Sequence, residues 1–388
     1  MAHMSTFPAL QPETAAPPPD GARPGIGLRL AFLSLGAIAL MAGCYGALER
    51  LGWVLPGGAR LAELHGPLMI SGLFGTLISL ERAVALSWGW SYVAPALAGL
   101  GTLALLAGVP MVLGAGLYAA AAAVLVGASL VIMIQQPAVF TSALLFAALA
   151  WLAGNVLWLL GGSVPDLVGW WLTFLVLTIA GERLELSRLL PRRRGGVALF
   201  LFAVGLFLAG AQNGLPTQNG AVLYGLALLA VTVWLARHDI AWLNIRRTGQ
   251  TRFMAVCMLG GYAWLGLAGA SLMIWPPGAK AFGYDVALHA VLIGFVLSMV
   301  FGHALIILPA IARARIRYHR GLYAPLLLLH ASVALRMGAG LAGWDAGRRG
   351  SGLLTLLALA GFVACLAGDA GGRTLRTEPS QAGQSHDD

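Results

Sequence analysis

The sequence predicts an all-α polytopic membrane protein with about twelve transmembrane helices, and three observations carry that expectation. Of 388 residues, 59% are hydrophobic and only 10% are charged, with a mean hydropathy of +0.82; soluble globular chains run near a quarter charged. The apolar residues gather into twelve segments, at 27–48, 62–86, 91–111, 113–134, 138–161, 166–186, 196–213, 219–238, 252–275, 283–312, 322–342 and 352–369. Most are close to the ~20 residues that cross the hydrocarbon of a bilayer. The third observation is where the charge sits. A net charge of +9 would suit nucleic acid if it formed a surface, but here it lies in short loops, where it sets orientation.

Arg188, Arg192, Arg193 and Arg194 follow the sixth segment, Arg237, Arg246 and Arg247 the eighth, and Arg313, Arg315, Arg317 and Arg320 the tenth. The loops after segments three, five and seven carry no Lys or Arg, and those after one, nine and eleven carry few: Arg50 and Arg60, Lys280, Arg348 and Arg349. Twelve spans in a bacterial inner membrane, with both termini cytoplasmic, satisfy this pattern. Residues 1–25 are rich in Pro and Ala, with no basic start and no apolar run, and read as a disordered tail rather than a signal peptide. Residues 371–388 read as a second polar tail, which leaves 26–370 as one membrane domain. Cys44, Cys257 and Cys365 each stand alone in an apolar segment and read as small core residues, not as disulfides or thiolate ligands.

Segment one offers no ionisable group at its centre. Segment two, LAELHGPLMISGLFGTLISLERAVAL, places His65 about one turn inside its periplasmic end, sets Met69 one turn further on, and closes on Glu81-Arg82. Segments three to five are Ala-, Leu- and Gly-rich, as close helix packing favours, and Asn155 reads as a hydrogen-bond donor between helices. Segment six ends on a second Glu-Arg pair, Glu182-Arg183, 101 residues after the first. Segment ten lies another hundred residues along. This spacing suggests three repeats of four helices in which segments two, six and ten are equivalent. The Glu-Arg pairs read as structural, reaching to the surface or pairing with other helices. His238 and His319, beside basic residues at segment ends, read as solvated interfacial histidines; His3 and His386 fall in the tails.

The chemistry concentrates in segment ten, within FGYDVALHAVLIGFVLSMVFGHALIILPAIARARIR from Phe282 to Arg317. His289 and His303 are 14 residues apart, which in an α-helix puts them within about 40° of one face and about 21 Å apart along the axis. Segment eleven carries His330 at a depth comparable to His303, and Arg336 further into the apolar run, where an arginine needs a carboxylate, a propionate or a cluster of carbonyls. Four intramembrane histidines thus fall into two depth-matched pairs, His65 with His289 and His303 with His330. Neutral imidazole is a good axial ligand for haem iron, so these pairs predict one or two haem b groups, with Arg336 or Arg60 available to propionates. Met69 and Met299, each one turn from a histidine, are softer candidates that would suit copper. The bland reading is that each histidine is an interhelical hydrogen bonder. A rival of another class is a proton-coupled transporter whose histidines carry protons or bind a substrate, or a non-catalytic membrane protein that uses them for packing.

Twelve spans, a threefold four-helix pattern, the HGPLM stretch from His65 to Met69 and a histidine in segment ten resemble the catalytic subunit I of haem-copper oxidases. The 14-residue histidine spacing is the same as in membrane cytochromes b. Segments six and seven carry no histidine, whereas those oxidases draw copper ligands there, so oxygen or nitric oxide reduction at a binuclear centre is not implied. A fuller resemblance is to the NnrS family, twelve-helix haem- and copper-containing membrane proteins linked to the nitric oxide response. It rests on His65 to Met69, on HAVLIGF from His289, on His319-Arg320-Gly321, and on SVALRM around Arg336. The resemblance implies a role in redox or nitrosative-stress chemistry, by electron transfer with a redox partner or by binding a diatomic ligand.

Overall fold

The computed structural model describes residues 25–188, 194–277, 282–313 and 316–371. The tails expected at 1–25 and 371–388 lie outside these residues but for Gly25 and Gly371, as do Arg192, Arg193, Lys280 and Arg315. Twelve helices are long and apolar enough to cross a membrane: α1 (Ile26–Arg50), α2 (Gly58–Leu86), α3 (Gly89–Leu106), α4 (Met111–Gln135), α5 (Val139–Leu159), α6 (Val164–Ser187), α7 (Gly196–Asn213), α8 (Gln218–His238), α9 (Gly249–Ile274), α10 (Gly283–Ala312), α11 (Arg320–Ala342) and α12 (Asp345–Ala367). No strand occurs among the described residues. Helices are the form such a sequence must take in lipid, because each backbone N–H and C=O has to be satisfied inside its own segment.

Consecutive helices pack as antiparallel neighbours, and α1 also touches α10 and α12, which brings the two ends of the chain together. The helices are not equally interior. In α2, α6 and α10 the apolar stretch is 61%, 72% and 67% buried, against at most 50% in any other span. These three are the members that the proposed repeat makes equivalent. The ends of the Glu-Arg motifs also meet: Arg82 of α2 approaches Glu182 of α6 at 3.9 Å. Asn155 on α5 ties three helices, accepting from Ser71 Oγ and Trp171 Nε1 and donating to the Tyr118 carbonyl.

Two of the inner helices are not regular. α2 runs as a π-helix over Leu68–Gly75, and α10 does so over Ala290–Leu297. Pro67, with no N–H to give, stands at the junction in α2. A π-turn bonds i to i+5 and takes up an extra residue, and such stretches are frequent at functional sites. The consequence in α10 is direct: the π stretch lies between His289 and His303, so the estimate that put both on one face, made for an unbroken α-helix, does not hold.

Candidate cofactor site

His65 stands on α2 three residues before its π stretch, and His289 on α10 immediately before the other. Their rings lie 6.3 Å apart, centre to centre, with planes inclined by only 11°. Each is fixed through Nδ1. His65 Nδ1 donates to the Gly43 carbonyl of α1 at 2.8 Å. His289 Nδ1 donates to the Asp285 carbonyl one turn back at 2.8 Å, with Asp285 Oδ1 at 3.1 Å. With the proton held on Nδ1, each neutral imidazole presents Nε2 as a bare acceptor, the form in which histidine ligates metals.

The Asp285 carboxylate is held in turn by Arg336 of α11, which donates from Nε to Oδ2 at 2.9 Å and from Nη2 to Oδ1 at 2.7 Å. This two-pronged pairing is the strong form of arginine–carboxylate contact. It answers what a guanidinium only 7% exposed is doing inside an apolar run. Arg336 was expected to face a propionate, but two of its three nitrogens are committed to Asp285. Arg60, the other candidate, donates to the Leu105 carbonyl.

Both rings and Arg336 line one cavity of about 660 Å³, a figure that takes in the open space at its mouth. Its walls are apolar, with Leu48, Phe74, Leu292 and Leu359 prominent, and Cys44 and Met69 add two sulfur atoms. α1 and α12, the least buried spans, form one side of it.

Two metal–nitrogen bonds of about 2 Å, carried on by about 1 Å to each ring centre, would span about 6 Å were both Nε2 atoms turned to one metal, a length compatible with the 6.3 Å between ring centres. Two nearly parallel histidines with free Nε2 atoms, secured Nδ1 atoms and apolar walls fit a haem held by two axial ligands. Among the described residues no group of three or more His, Cys, Asp or Glu side chains is placed to hold a metal ion.

The second pair expected from the sequence is not a pair. His303 Nδ1 donates to the Met299 carbonyl at 2.7 Å, and its Nε2, the nitrogen a metal would need, accepts from Arg183 Nη2 of α6 at 2.8 Å. His330 accepts at Nδ1 from Trp264 Nε1 of α9 at 2.8 Å and lies against that indole. The two side chains are engaged by different helices, α6 for His303 and α9 for His330. Met299 serves the same region by its carbonyl and packs beside Gly261, away from the cavity. The interfacial histidines are also less exposed than expected. His238 donates from Nδ1 to the Trp234 carbonyl and stacks on that indole, and His319 Nε2 reaches the Cys365 carbonyl at 3.3 Å.

Sequence reasoning passed over Asp285, Gly43 and the reach of Arg183. Asp285 had a signal, an acid one turn before an intramembrane histidine and on its face. Gly43 had none, because a backbone carbonyl is offered by every residue.

Fold and site together define a twelve-span α-helical membrane protein with an intramembrane cavity flanked by two facing histidines. The family described as Domain of unknown function (DUF8744) matches residues 29–370, and the chain belongs to it. A search of the curated proteins found no match.

Proposed function

We propose that the chain is a bacterial inner-membrane haem protein, similar to the NnrS family, in which His65 and His289 are the two axial ligands of one haem b. The single observation that carries this is the 6.3 Å, near-parallel disposition of the two rings. A bound bis-histidine haem supplies a one-electron couple. The chain's own residues do the rest. Gly43 and Asp285 orient the rings and keep their protons on Nδ1, Arg336 holds the Asp285 side chain against His289, and apolar walls line the cavity. With His65 and His289 both holding the group, it would supply electron transfer with a redox partner rather than capture of a diatomic ligand. The redox or nitrosative-stress role follows the resemblance. Orientation with both termini cytoplasmic follows the arginines after α6, α8 and α10.

Absorption spectra of the purified protein, produced with haem available, test this. A Soret band with the sharp reduced bands of a six-coordinate haem is expected, and it is lost in both His65→Ala and His289→Ala. His303→Ala and His330→Ala should leave it in place. A colourless wild-type protein that folds and inserts normally would overturn the haem reading and return the histidines to the transporter or packing alternatives.

A further inference from the structure

At the end of the bundle where α6 and α8 finish and α9 begins, a second polar cluster lies outside the cofactor cavity. Arg183 of α6, Asp239 just after α8 and Tyr262 of α9 are 5%, 4% and 3% exposed. Arg183 donates from Nη1 to Met258 Sδ at 3.7 Å and from Nη2 to His303 Nε2 at 2.8 Å. Met258 and Tyr262 are one turn apart on the same face of α9. Asp239 uses Oδ1 to accept the Ala241 N–H at 2.6 Å. No direct ion pair joins Arg183 to Asp239 among the described residues, yet the carboxylate feels both the guanidinium and the Tyr262 hydroxyl. Arg183 Nε has no protein partner, and Asp239 Oδ2 and the Tyr262 oxygen have none of ordinary hydrogen-bond geometry, although hydroxyl and carboxyl are close enough to act on each other.

Such atoms, on three elements whose side chains act on one another, are costly to leave bare. Their chemistry also selects what satisfies them. Arg183 Nε only donates, an ionised Asp239 Oδ2 only accepts, and the tyrosine hydroxyl does either. An inorganic anion would face the carboxylate, and a metal cation would face the guanidinium. Water suits both, and buried waters typically hold two to four such partners.

We propose that Arg183, Asp239 and Tyr262 enclose a buried water, and that this water and the Asp239 carboxyl form a proton-holding site at that end of the bundle. Uptake is a single event: a proton from the aqueous side forms an O–H bond at Oδ2, returns its carrier as water, and changes no other bond. The carboxylate is neutralised and the charge of Arg183 is left uncompensated, 2.8 Å from His303. Burial raises the Asp239 carboxyl above the ordinary carboxylate range, with the Ala241 amide, Arg183 and the Tyr262 hydroxyl acting the other way. The charged and titratable groups that act on it are Arg183 of α6 and Tyr262 of α9, with His303 of α10 reached through Arg183.

Infrared spectroscopy of the full chain in lipid nanodiscs, titrated with acid, reads this site without any haem signal. Expected are a protonated-carboxyl stretch that shifts in D2O and is absent from Asp239→Asn, and a buried-water O–H stretch that shifts in H2(18)O. Tyr262→Phe should move the carboxyl band and remove the water band, with far-UV circular dichroism unchanged. Identical spectra for wild type and Asp239→Asn at every pH would overturn the proton site. A wild-type spectrum with no band sensitive to H2(18)O would overturn the water.

Discussion

Asp285 serves two partners at once, supporting His289 from below and neutralising Arg336 across the helix interface. Removing one partner of a buried ion pair leaves the other uncompensated, at a cost of about 3 kcal/mol. Asp285→Asn should therefore destabilise the folded protein by about that amount, and Arg336→Met in the same background should restore much of it. A double-mutant cycle on thermal unfolding in detergent measures the coupling. For the raised Asp239 carboxyl the sign runs against the usual acid. The folded chain holds this proton more tightly than the unfolded chain does, so the associated stability is complete below the ordinary carboxylate range of about 4 and declines as pH rises through the folded value. Asp239→Asn should flatten the pH dependence of the melting temperature in that window, and an unchanged slope would contradict the assignment. His65, His289 and Arg336 were readable as site residues because ionisable groups stand out in an apolar run. Gly43 was not, since what it contributes is a carbonyl and room for a neighbour.

At the scale of the element, the positioning of His65 depends on how closely α1 lies on α2. A Cβ at Gly46 would strike the backbone carbonyl of Leu61, and one at Gly43 would meet Met69 Sδ at 2.6 Å. Gly46→Ala should push α1 outward, weaken the bond from His65 Nδ1 to Gly43, and lower cofactor affinity by roughly tenfold or more, the usual scale for losing a partner behind a ligand. An optical haem titration of the purified variant gives the number. The π stretches set the other coordinate. Each takes up a residue, so deleting one within Leu68–Gly75 should let the ladder return to i→i+4 with His65 facing as before relative to Thr76–Leu86 and the Soret band retained. Helix existence was legible because apolar runs of this length admit no other structure in lipid. The π stretches were not, because local sequence fixes hydrophobicity and length but not which hydrogen-bond ladder packing against α1, α9 and α11 will favour.

For the whole molecule, one site rather than two is the testable consequence of the way the inner helices are set. Haem quantified per polypeptide should approach one. A stoichiometry of two would require His303 to give up Arg183, and would show that the second pair forms after all. The arginine-bearing loops after α6, α8 and α10 place those loops and both termini on one side. A fluorescent protein fused to the C-terminus should fluoresce in cells, and an alkaline phosphatase fused there should be inactive. The reverse result would invert the topology. The burial of α2, α6 and α10 above all other spans accords with the hundred-residue spacing of the Glu-Arg motifs, and the contact of Arg82 with Glu182 joins two of the three.

What the amino-acid sequence determined by itself is the number and approximate limits of the twelve spans, their charge asymmetry, and the few ionisable side chains inside them. Those properties are local, set by transfer of each segment into lipid. Depth in the sequence paired His65 with His289 and His303 with His330 alike; that the first two rings meet while His303 and His330 bond to other helices was decided by tertiary structure. An extra residue taken up by a π-turn rotates everything beyond it, and the close approach of α1 at Gly43 and Gly46 supplies a hydrogen bond that no side-chain pattern encodes. The arginines show the same division. Arg336 and Arg183 were visible as charges needing partners, but Asp285 for one and His303 for the other came from which helices meet.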